Sequence, residues 1–437
     1  MLIKECKHRR KRLMDMMGED CIAILPTASV QLRNRDVDFQ FRPDSDFYYL
    51  SGFPEPEALM VLIPNRREGE YLLFCRESDP AQEIWHGRRC GIEKAAEEYE
   101  VDDVFPITDI DDILPGLIEN KERIYYNMGN DASFDQRVMG WLNAVRKRSR
   151  AGINAPDEFI SLDHLLHDMR LYKSRHELST MRRAAKISAQ AHIRAMQVCK
   201  PGMMEYQVEA ELIHSFMQQG SRYAAYPSIV GAGENGCILH YTENEAECKD
   251  GDLLLIDAGA ELDGYASDIT RTFPINGKFT DEQKAVYEIV LAAQLAAIEQ
   301  VKAGNHWNDP HDAAVRVITE GLVELEILNG NVDTLIEQAA YKPYYMHRTG
   351  HWLGMDVHDV GEYKLDGNWR LLEPGMVLTV EPGLYFNQTT KGLDSKWYNI
   401  GIRIEDDVVV TKEGNEVLSK DAPKSINDIE DIMANAA

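Results

Sequence analysis

The sequence has no long apolar run, and its charge is strongly one-sided. No run approaches the roughly 20 consecutive apolar residues that a membrane-spanning helix needs, so no such helix is expected in this chain of 437 residues. Acidic residues outnumber basic residues by 73 to 47, which gives a formal net charge of −26. Nucleic acids and anionic membranes bind positive surfaces. Neither is therefore expected as a partner.

Cysteine is scarce and shows no pattern. The seven cysteines include no Cys-x-x-Cys pair, so they indicate neither a disulfide framework nor a cysteine zinc site. The basic N-terminus meets Asp15, Glu19 and Asp20 before any apolar stretch of signal-peptide length, and no secretory signal is expected. Reduced thiols without a leader favour a cytoplasmic location.

Length and periodicity predict two domains in a mixed α/β (α+β) chain. Short apolar strands alternate with helices over residues 1–172, which is typical of a small α/β domain. Over residues 173–437 the order helix, helix, strands occurs twice, which is weak evidence for an internal duplication. Ser174 and Glu177 form a capping-box pattern at the start of the second domain, and Thr280 and Gln283 form another at the start of a later helix.

Two segments of the first domain, Asp44–Phe53 and Ile84–Arg89, combine polar and aromatic residues. This composition is typical of loops that face a ligand or a partner. Exposed loops with chance aromatic residues explain it equally well.

Three histidines stand within twelve residues of the second domain: His347, His351 and His358. The first two are four residues apart, as in the helical motif of zinc proteases. However, Arg348 occupies the place of the catalytic glutamate in that motif, and Gly350 interrupts the helix. The zinc-protease interpretation is therefore excluded. A turn-rich core segment with hydrogen-bonded histidines remains an open alternative for this stretch taken alone.

Four acids of the second domain lie in or directly after apolar strands. They are Asp257, Asp268, Glu381 and Glu405, of which Asp268 is expected on a return strand over residues 265–273. A buried carboxylate is costly unless it is paired or bound to a cation. Salt bridges to Arg271 or Arg403 are one explanation, and a shared dinuclear metal site is the other. An oxygen-rich set with one histidine suits Mn²⁺ or Mg²⁺ and admits Co²⁺, Fe²⁺ or Zn²⁺.

Five motifs, in order, carry a resemblance over nearly the whole chain. They are Asp257-Ala-Gly, Ser-Asp268-Ile-Thr-Arg, the segment from His347 to Asp359, Thr-Val-Glu381-Pro-Gly and Gly-Ile-Arg-Ile-Glu405-Asp. Together they resemble the pita-bread metallopeptidases, and within them the aminopeptidase P subfamily. The resemblance implies an N-terminal α/β domain (1–172) for substrate access and oligomerisation. It also implies a catalytic pita-bread domain (173–437) of duplicated α/β units around a curved antiparallel sheet.

The resemblance implies a metal centre and a mechanism. The expected ligands are Asp257, Asp268, His351, Glu381 and Glu405, which would hold two divalent ions, with manganese expected. A hydroxide between the ions would attack the Xaa-Pro bond and release the N-terminal residue. Glu381 would also act as the general base. His240 and His358 would steady the substrate and the oxyanion, His347 would line the proline pocket, and Arg403 would orient its carboxylate neighbours.

The resemblance also implies peptide substrates with proline in the second position, and a homo-oligomer (dimer or tetramer). Tyr226 and Trp85 would line the proline slot. Trp85 and Asp36 would complete the site of a neighbouring subunit. Family members often carry a further arginine just ahead of the Leu-Glu-Pro-Gly run. The sequence leaves open whether Arg370 contacts substrate in its place.

Two alternatives remain. Prolidase, which cleaves Xaa-Pro dipeptides, would share the same metals and histidines. A non-catalytic pita-bread binding module would not need the complete ligand set.

Overall fold

The computed structural model describes residues 2–435, and within them the chain forms two compact units. The division falls between Met169 and Arg170, whereas the sequence places the joint between residues 172 and 173. Among the described residues, no helix is long and apolar enough to cross a membrane.

The first unit is built on a six-stranded mixed sheet. Its elements are α1 (Leu2–Met17), β1 (Cys21–Pro26), α2 (Ser45–Ser51), β2 (Leu59–Leu62), β3 (Tyr71–Cys75), α3 (Pro80–His86), α4 (Gly91–Glu98), β4 (Asp103–Pro106), α5 (Ile110–Ile118), β5 (Arg123–Tyr125), α6 (Ala132–Arg146), β6 (Glu158–Ile160) and α7 (Asp163–Leu171). The strand order is β4-β3-β2-β1-β5-β6. Apolar side chains of β1, β2 and β3 pack with α5 and α6 to form the core of this unit.

The second unit contains two successive sets of helices followed by strands. The first set is α8 (Arg175–Val198), α9 (Glu205–Gln218), β7 (Tyr223–Ala224), β8 (Ile229–Ala232), β9 (Leu253–Asp257), β10 (Ala260–Leu262), β11 (Tyr265–Ala266) and β12 (Thr270–Pro274). The second set is α10 (Asp281–Gln300), α11 (Asp309–Glu324), α12 (Val332–Glu337), β13 (Lys364–Leu365), β14 (Asn368–Trp369), β15 (Val377–Val380), β16 (Gly383–Phe386), β17 (Ile400–Arg403), β18 (Asp406–Val410), β19 (Asn415–Val417) and α13 (Ile426–Ala434). The ladders between these strands are antiparallel.

The first helix of each set starts at the capping box that the sequence predicts. Ser174 accepts a hydrogen bond from the backbone of Glu177, whose carboxylate returns a bond to the Ser174 amide. Thr280 and Gln283 do the same at the start of α10. These caps satisfy amides that have no partner within the helix. They fix where the two helices begin.

Two local predictions are wrong. Asp44–Phe53 is predominantly the helix α2, in which Phe47, Tyr49 and Leu50 are buried, so its aromatic residues belong to the core. Asp268 does not lie on a continuous return strand. That strand breaks between β11 and β12, and Asp268 occupies the break.

Candidate metal centre and active site

One cavity of about 470 Å³ in the second unit gathers the predicted catalytic chemistry. Its lining contains every predicted site residue of that unit: Tyr226, His240, Asp257, Asp268, His347, His351, His358, Glu381, Arg403 and Glu405. These residues come from segments that are far apart in sequence.

Backbone pairing brings Asp257, Asp268 and Glu405 together. Thr270 pairs with Asp257 in the β9–β12 ladder, so the strand break that holds Asp268 lies beside the end of β9. The amide of Glu405 donates to the carbonyl of Thr270 at 3.1 Å. The three acids therefore stand at one edge of adjoining strands.

The histidine segment reaches the same edge by pairing with β15. Thr379 donates its amide to the carbonyl of His351 at 2.9 Å, and Glu381 donates to the carbonyl of Thr349 at 2.8 Å. A Cβ on Gly350 would overlap the carbonyl oxygen of Thr379. The glycine that breaks the helical pattern is thus required for this close approach.

The imidazole of His351 is oriented for metal binding. Its Nδ1 lies 2.9 Å from the carbonyl oxygen of Trp352, which can only accept a hydrogen bond. In the neutral ring the proton is therefore on Nδ1, and Nε2 keeps its lone pair. Nε2 is 3.4 Å from Oδ2 of Asp268 and 3.8 Å from Oε1 of Glu381.

Ligand atoms of Asp268, His351 and Glu405 all lie within 4.8 Å of one another. The hydroxyl of Tyr226 joins Asp257 to Asp268, with distances of 2.6 Å and 2.5 Å to their Oδ1 atoms. Asp257, Asp268 and Glu405 are 9%, 5% and 2% exposed. The cluster is compact and almost completely shielded from solvent.

Burial and mutual repulsion shift the pKa values of these acids. Burial raises the pKa of Glu405 well above its ordinary value, and the charges of Asp268, Glu381 and Asp257 raise it further. Burial likewise raises the pKa of Glu381 to about 7 and raises that of Asp257. Burial alone would raise the pKa of Asp268, but hydrogen bonds from His351 and Tyr226 lower it. Added positive charge would therefore stabilise the ionised forms of Asp257, Glu381 and Glu405.

The residues present fit divalent cations. Four carboxylates that repel one another, and one imidazole whose Nε2 has a lone pair in the neutral ring, form a set of hard oxygen donors with one borderline nitrogen. Arg403 is a buried cation in the cluster, and its Nη2 donates to Oδ2 of Asp257 at 2.6 Å. One guanidinium cannot neutralise four acids, even together with a protonated His351. The charge deficit favours the metal explanation over salt bridges alone.

Arg403 also supports two other members of the site. Its Nε donates to the hydroxyl of Thr270, which donates to Oε2 of Glu405 at 2.6 Å. Its Nη1 donates to the hydroxyl of Tyr385, which lies 2.8 Å from Nε2 of His347. Arg403 thus makes three separate contacts within the site, and its orienting role stays a prediction.

The cavity histidines differ in their surroundings. Burial, and then the charge of Arg403, lower the pKa of His347 to about 3, so this ring is neutral. Its Nδ1 faces the carbonyl of Arg348, so Nε2 accepts from Tyr385. His358 packs edge-on against His351 with ring centres 4.3 Å apart. His240 and His358 are exposed on the cavity wall.

The comparisons with known proteins match both units. The profile of metallopeptidase family M24 matches residues 179–412, and that of the aminopeptidase P N-terminal domain matches residues 6–125. The chain is 45% identical to the Xaa-Pro aminopeptidase of Escherichia coli K12, over 99% of this chain and 98% of that protein. It belongs to metallopeptidase family M24, and within it to the aminopeptidase P proteins.

Solved structures of aminopeptidase P agree with this assignment. Aminopeptidase PepP of Pseudomonas aeruginosa is 59% identical and superimposes with a TM-score of 0.99, over 99% of this chain and 98% of that one. A zinc-substituted E. coli aminopeptidase P in complex with product is 45% identical, with a TM-score of 0.97, over 100% of this chain and 99% of that one. The predicted fold and family are confirmed.

Two predicted site residues of this M24 chain lie in its first unit. Asp36 is in an exposed segment, and Trp85, at the end of α3, is 81% exposed. Their part in a neighbouring subunit's site stays a prediction. In the second unit, the Arg370 guanidinium donates to the hydroxyl of Tyr172 at 3.3 Å and lies over that ring.

Sequence reasoning missed several supporting residues of the metallopeptidase site. Thr270 stands in the Asp-Ile-Thr-Arg motif, which is the signal that could have identified it. Tyr385 lies on β16 among apolar residues and carries no such signal. Asp359 was seen only as the end of the histidine segment. Its carboxylate accepts bonds from Lys173 at 2.9 Å and Arg170 at 2.5 Å, and this fixes the loop of His358.

Proposed function

We propose that this chain is an Xaa-Pro aminopeptidase that removes the first residue of peptides with proline in second position. One observation carries the proposal. A single cavity holds four clustered carboxylates, the Nε2 atom of His351 and four further histidine or arginine side chains of the predicted catalytic set. The identity of 45% to an Xaa-Pro aminopeptidase over the whole chain supports it.

We propose that Asp257, Asp268, His351, Glu381 and Glu405 would hold two divalent ions. Manganese is the ion expected, because the donors are mainly hard oxygens. The zinc-substituted relative is consistent with a site that accepts more than one divalent ion. When bound, such ions lower the pKa of water to near neutrality and polarise a carbonyl oxygen.

Glu381 is suited to move the proton. Its carboxylate lines the cavity 3.8 Å from Nε2 of His351, where it can accept a proton and return it. In this proposal Glu381 takes the proton of the attacking water and delivers it to the departing proline nitrogen. Exposed donors of His240 and His358 stabilise the negative charge that develops on the carbonyl oxygen.

Proline selection follows from the other wall of the cavity. The proline nitrogen has no N–H in a peptide bond, so its site needs no acceptor there. Tyr226, Ile229, Leu239 and Val357 give the cavity apolar surface, and neutral His347 also lines it. We propose that this apolar part of the lining receives the pyrrolidine ring.

We further propose a homo-oligomer in which Asp36 and Trp85 complete the site of a neighbouring subunit. Exposure of a large aromatic at 81% supports an additional covering surface. Sedimentation should give a dimer or tetramer, and Trp85→Ala should lower kcat/KM without lowering metal content. A monomer whose activity is unchanged by Trp85→Ala would contradict the subunit proposal.

We also propose a cytoplasmic location, because the seven cysteines are free.

The decisive experiment compares a tripeptide, Ala-Pro-Ala, with the dipeptide Ala-Pro, using protein loaded with manganese. We expect release of alanine from the tripeptide and about two metal ions per chain. Cleavage of Ala-Pro alone would indicate prolidase. Less than one metal ion per chain, with no hydrolysis of either peptide, would indicate a binding module.

A further inference from the structure

Arg348 is a cation on the wall of the catalytic cavity that the mechanism above does not use. It lies between His347 and Thr349 in the segment that carries His351, and it contributes to the cavity lining. Its side chain is exposed. Arg403, the other arginine in this lining, is buried and bonded to Asp257, Thr270 and Tyr385. Arg348 is therefore the arginine of the lining that remains accessible to a ligand.

Neutral groups hold Arg348 in place. Its Nη2 donates to the side-chain oxygen of Asn308, and its guanidinium carbon lies 5.1 Å from the centre of the Trp369 ring. Asn308 is itself fixed, because its amide donates to Asp312 at 2.7 Å. An arginine held by an amide and an aromatic face is pre-organised but keeps its full charge.

The charge of Arg348 is not neutralised by an ion pair. Among residues 2–435, no carboxylate oxygen is recorded within 4.0 Å of its guanidinium nitrogens. The charge of Arg348 also affects the pKa of the nearby His311. Burial, and then the positive charges of Arg348 and Lys342, lower the pKa of His311 to about 4. In a chain of net charge −26, a fixed and unpaired cation at a cavity wall is a binding group for an anion.

The peptide substrate supplies one anion at a suitable distance. Arg348 is three residues from His351, so their Cα atoms are at most about 11 Å apart. In an extended tripeptide, the C-terminal carboxylate lies about 7 Å beyond the first carbonyl, at roughly 3.5 Å per residue. A tripeptide cleaved beside His351 therefore spans a distance that the Arg348 side chain can close. Longer peptides carry their carboxylate farther away.

We propose that Arg348 binds the C-terminal carboxylate of short peptides and makes the enzyme favour Xaa-Pro-Yaa tripeptides. The inference rests on the proposed function, because it takes the scissile bond to lie at the His351 centre. The five N–H donors of arginine are in a fork that matches a carboxylate. One of them is used by Asn308, which leaves donors for the substrate.

The test compares Ala-Pro-Ala with its C-terminal amide. For the unaltered protein, kcat/KM should be about tenfold higher for the free acid, mainly through KM, since a charge-assisted hydrogen bond contributes roughly this factor. In Arg348→Gln the ratio of acid to amide should fall to near one. Arg348→Lys should give an intermediate ratio, because it keeps the charge and loses the fork.

Lys364→Gln is the matched control. Lys364 lies on β13, and its Nζ is 4.3 Å from the centre of the same Trp369 ring. If Arg348 acted only by packing on that ring, loss of either cation would have similar effects. We expect Lys364→Gln to keep the full preference for the acid. An acid-to-amide ratio near one in the unaltered protein, or one unchanged by Arg348→Gln, overturns the inference.

A binding measurement separates this inference from the proposed function. Calorimetry with the product dipeptide Pro-Ala and with Pro-Ala amide needs no turnover. One outcome is that the acid binds more tightly than the amide, that Arg348→Gln abolishes this difference, and that no peptide is cleaved. That outcome would support the Arg348 site and contradict the aminopeptidase function. Cleavage of Ala-Pro-Ala together with equal binding of the acid and the amide would support the aminopeptidase function and contradict the Arg348 site.

Discussion

At the scale of single residues, Glu381 has two proposed roles that can be separated. Glu381→Gln should lower kcat on Ala-Pro-Ala by about a thousandfold, because an amide cannot accept the proton and general acid–base catalysis contributes roughly 10²–10⁴. Metal content measured on the same sample distinguishes a lost base from a lost ligand. The exposed Glu362→Gln is the control. A loss of less than tenfold would contradict the role as base.

The pKa of His351 gives a pH prediction for protein stripped of metal. Burial alone would lower this pKa, but the hydrogen bond to Asp268 and the charge of Glu381 raise it to about 9. The unfolded value is about 6.5. The folded state therefore binds the extra proton, and its stabilising effect is complete below pH 6.5 and is lost as pH rises through 9.

The Tm of chelator-treated protein should accordingly fall between pH 7 and pH 9.5. The fall should be smaller in His351→Asn, which controls for other groups that titrate in this range. Added manganese should raise Tm more at the higher pH, because metal binding needs the deprotonated ring. A Tm of the metal-free protein that rises over this range would contradict the geometry around His351.

Residues within motifs were identifiable from the sequence, whereas residues that act through space were not. Five residues could be recognised in the sequence, either as acids in apolar surroundings or as a histidine between glycines. They are Asp257, Asp268, His351, Glu381 and Glu405. Their convergence in one cavity is seen in the structure, and their roles as ligands stay predictions. Tyr385 and Arg348 could not be assigned, because only the fold decides which side chains face the cavity.

At the scale of elements, the loop of residues 354–359 is held by a buried charge cluster. Asp359, Lys173 and Arg170 have side chains that are 1%, 1% and 3% exposed. Asp359→Asn would remove the buried carboxylate that pairs with both cations, which costs about 3–5 kcal/mol. Chemical denaturation should show that loss of stability.

Asp356 offers the matched control for this prediction. It also pairs with Arg170, at 2.7 Å, but its side chain is 39% exposed. Asp356→Asn should therefore cost less than about 1 kcal/mol. Equal losses for the two variants would mean that burial does not set the strength of this anchor.

Helix boundaries followed closely from local chemistry, but strand continuity did not. The capping boxes at Ser174 and Thr280 predicted the starts of α8 and α10. The break that holds Asp268 was missed, because β11 and β12 read as one run in the sequence. It depends on Gly259, where a Cβ would overlap the carbonyl oxygen of Ser267. That contact is not visible in local sequence.

At the scale of the whole molecule, fold and family were predictable because five motifs occur in the right order over the chain. The matches at residues 6–125 and 179–412 confirm both. The roles of Asp36 and Trp85 depend on subunit contacts, which one chain does not contain. Peptide length preference depends on Arg348, whose place on the cavity wall only the structure reveals.

The most direct measurement is hydrolysis of Ala-Pro-Ala in ¹⁸O-labelled water by the manganese-loaded protein, with products identified by mass spectrometry. The proposed function predicts free alanine with the label in its carboxylate, together with unlabelled Pro-Ala. Label in the proline carboxylate of Ala-Pro would mean that the other bond is cut. That result, or an intact tripeptide, would contradict the assignment of this cavity to Xaa-Pro cleavage.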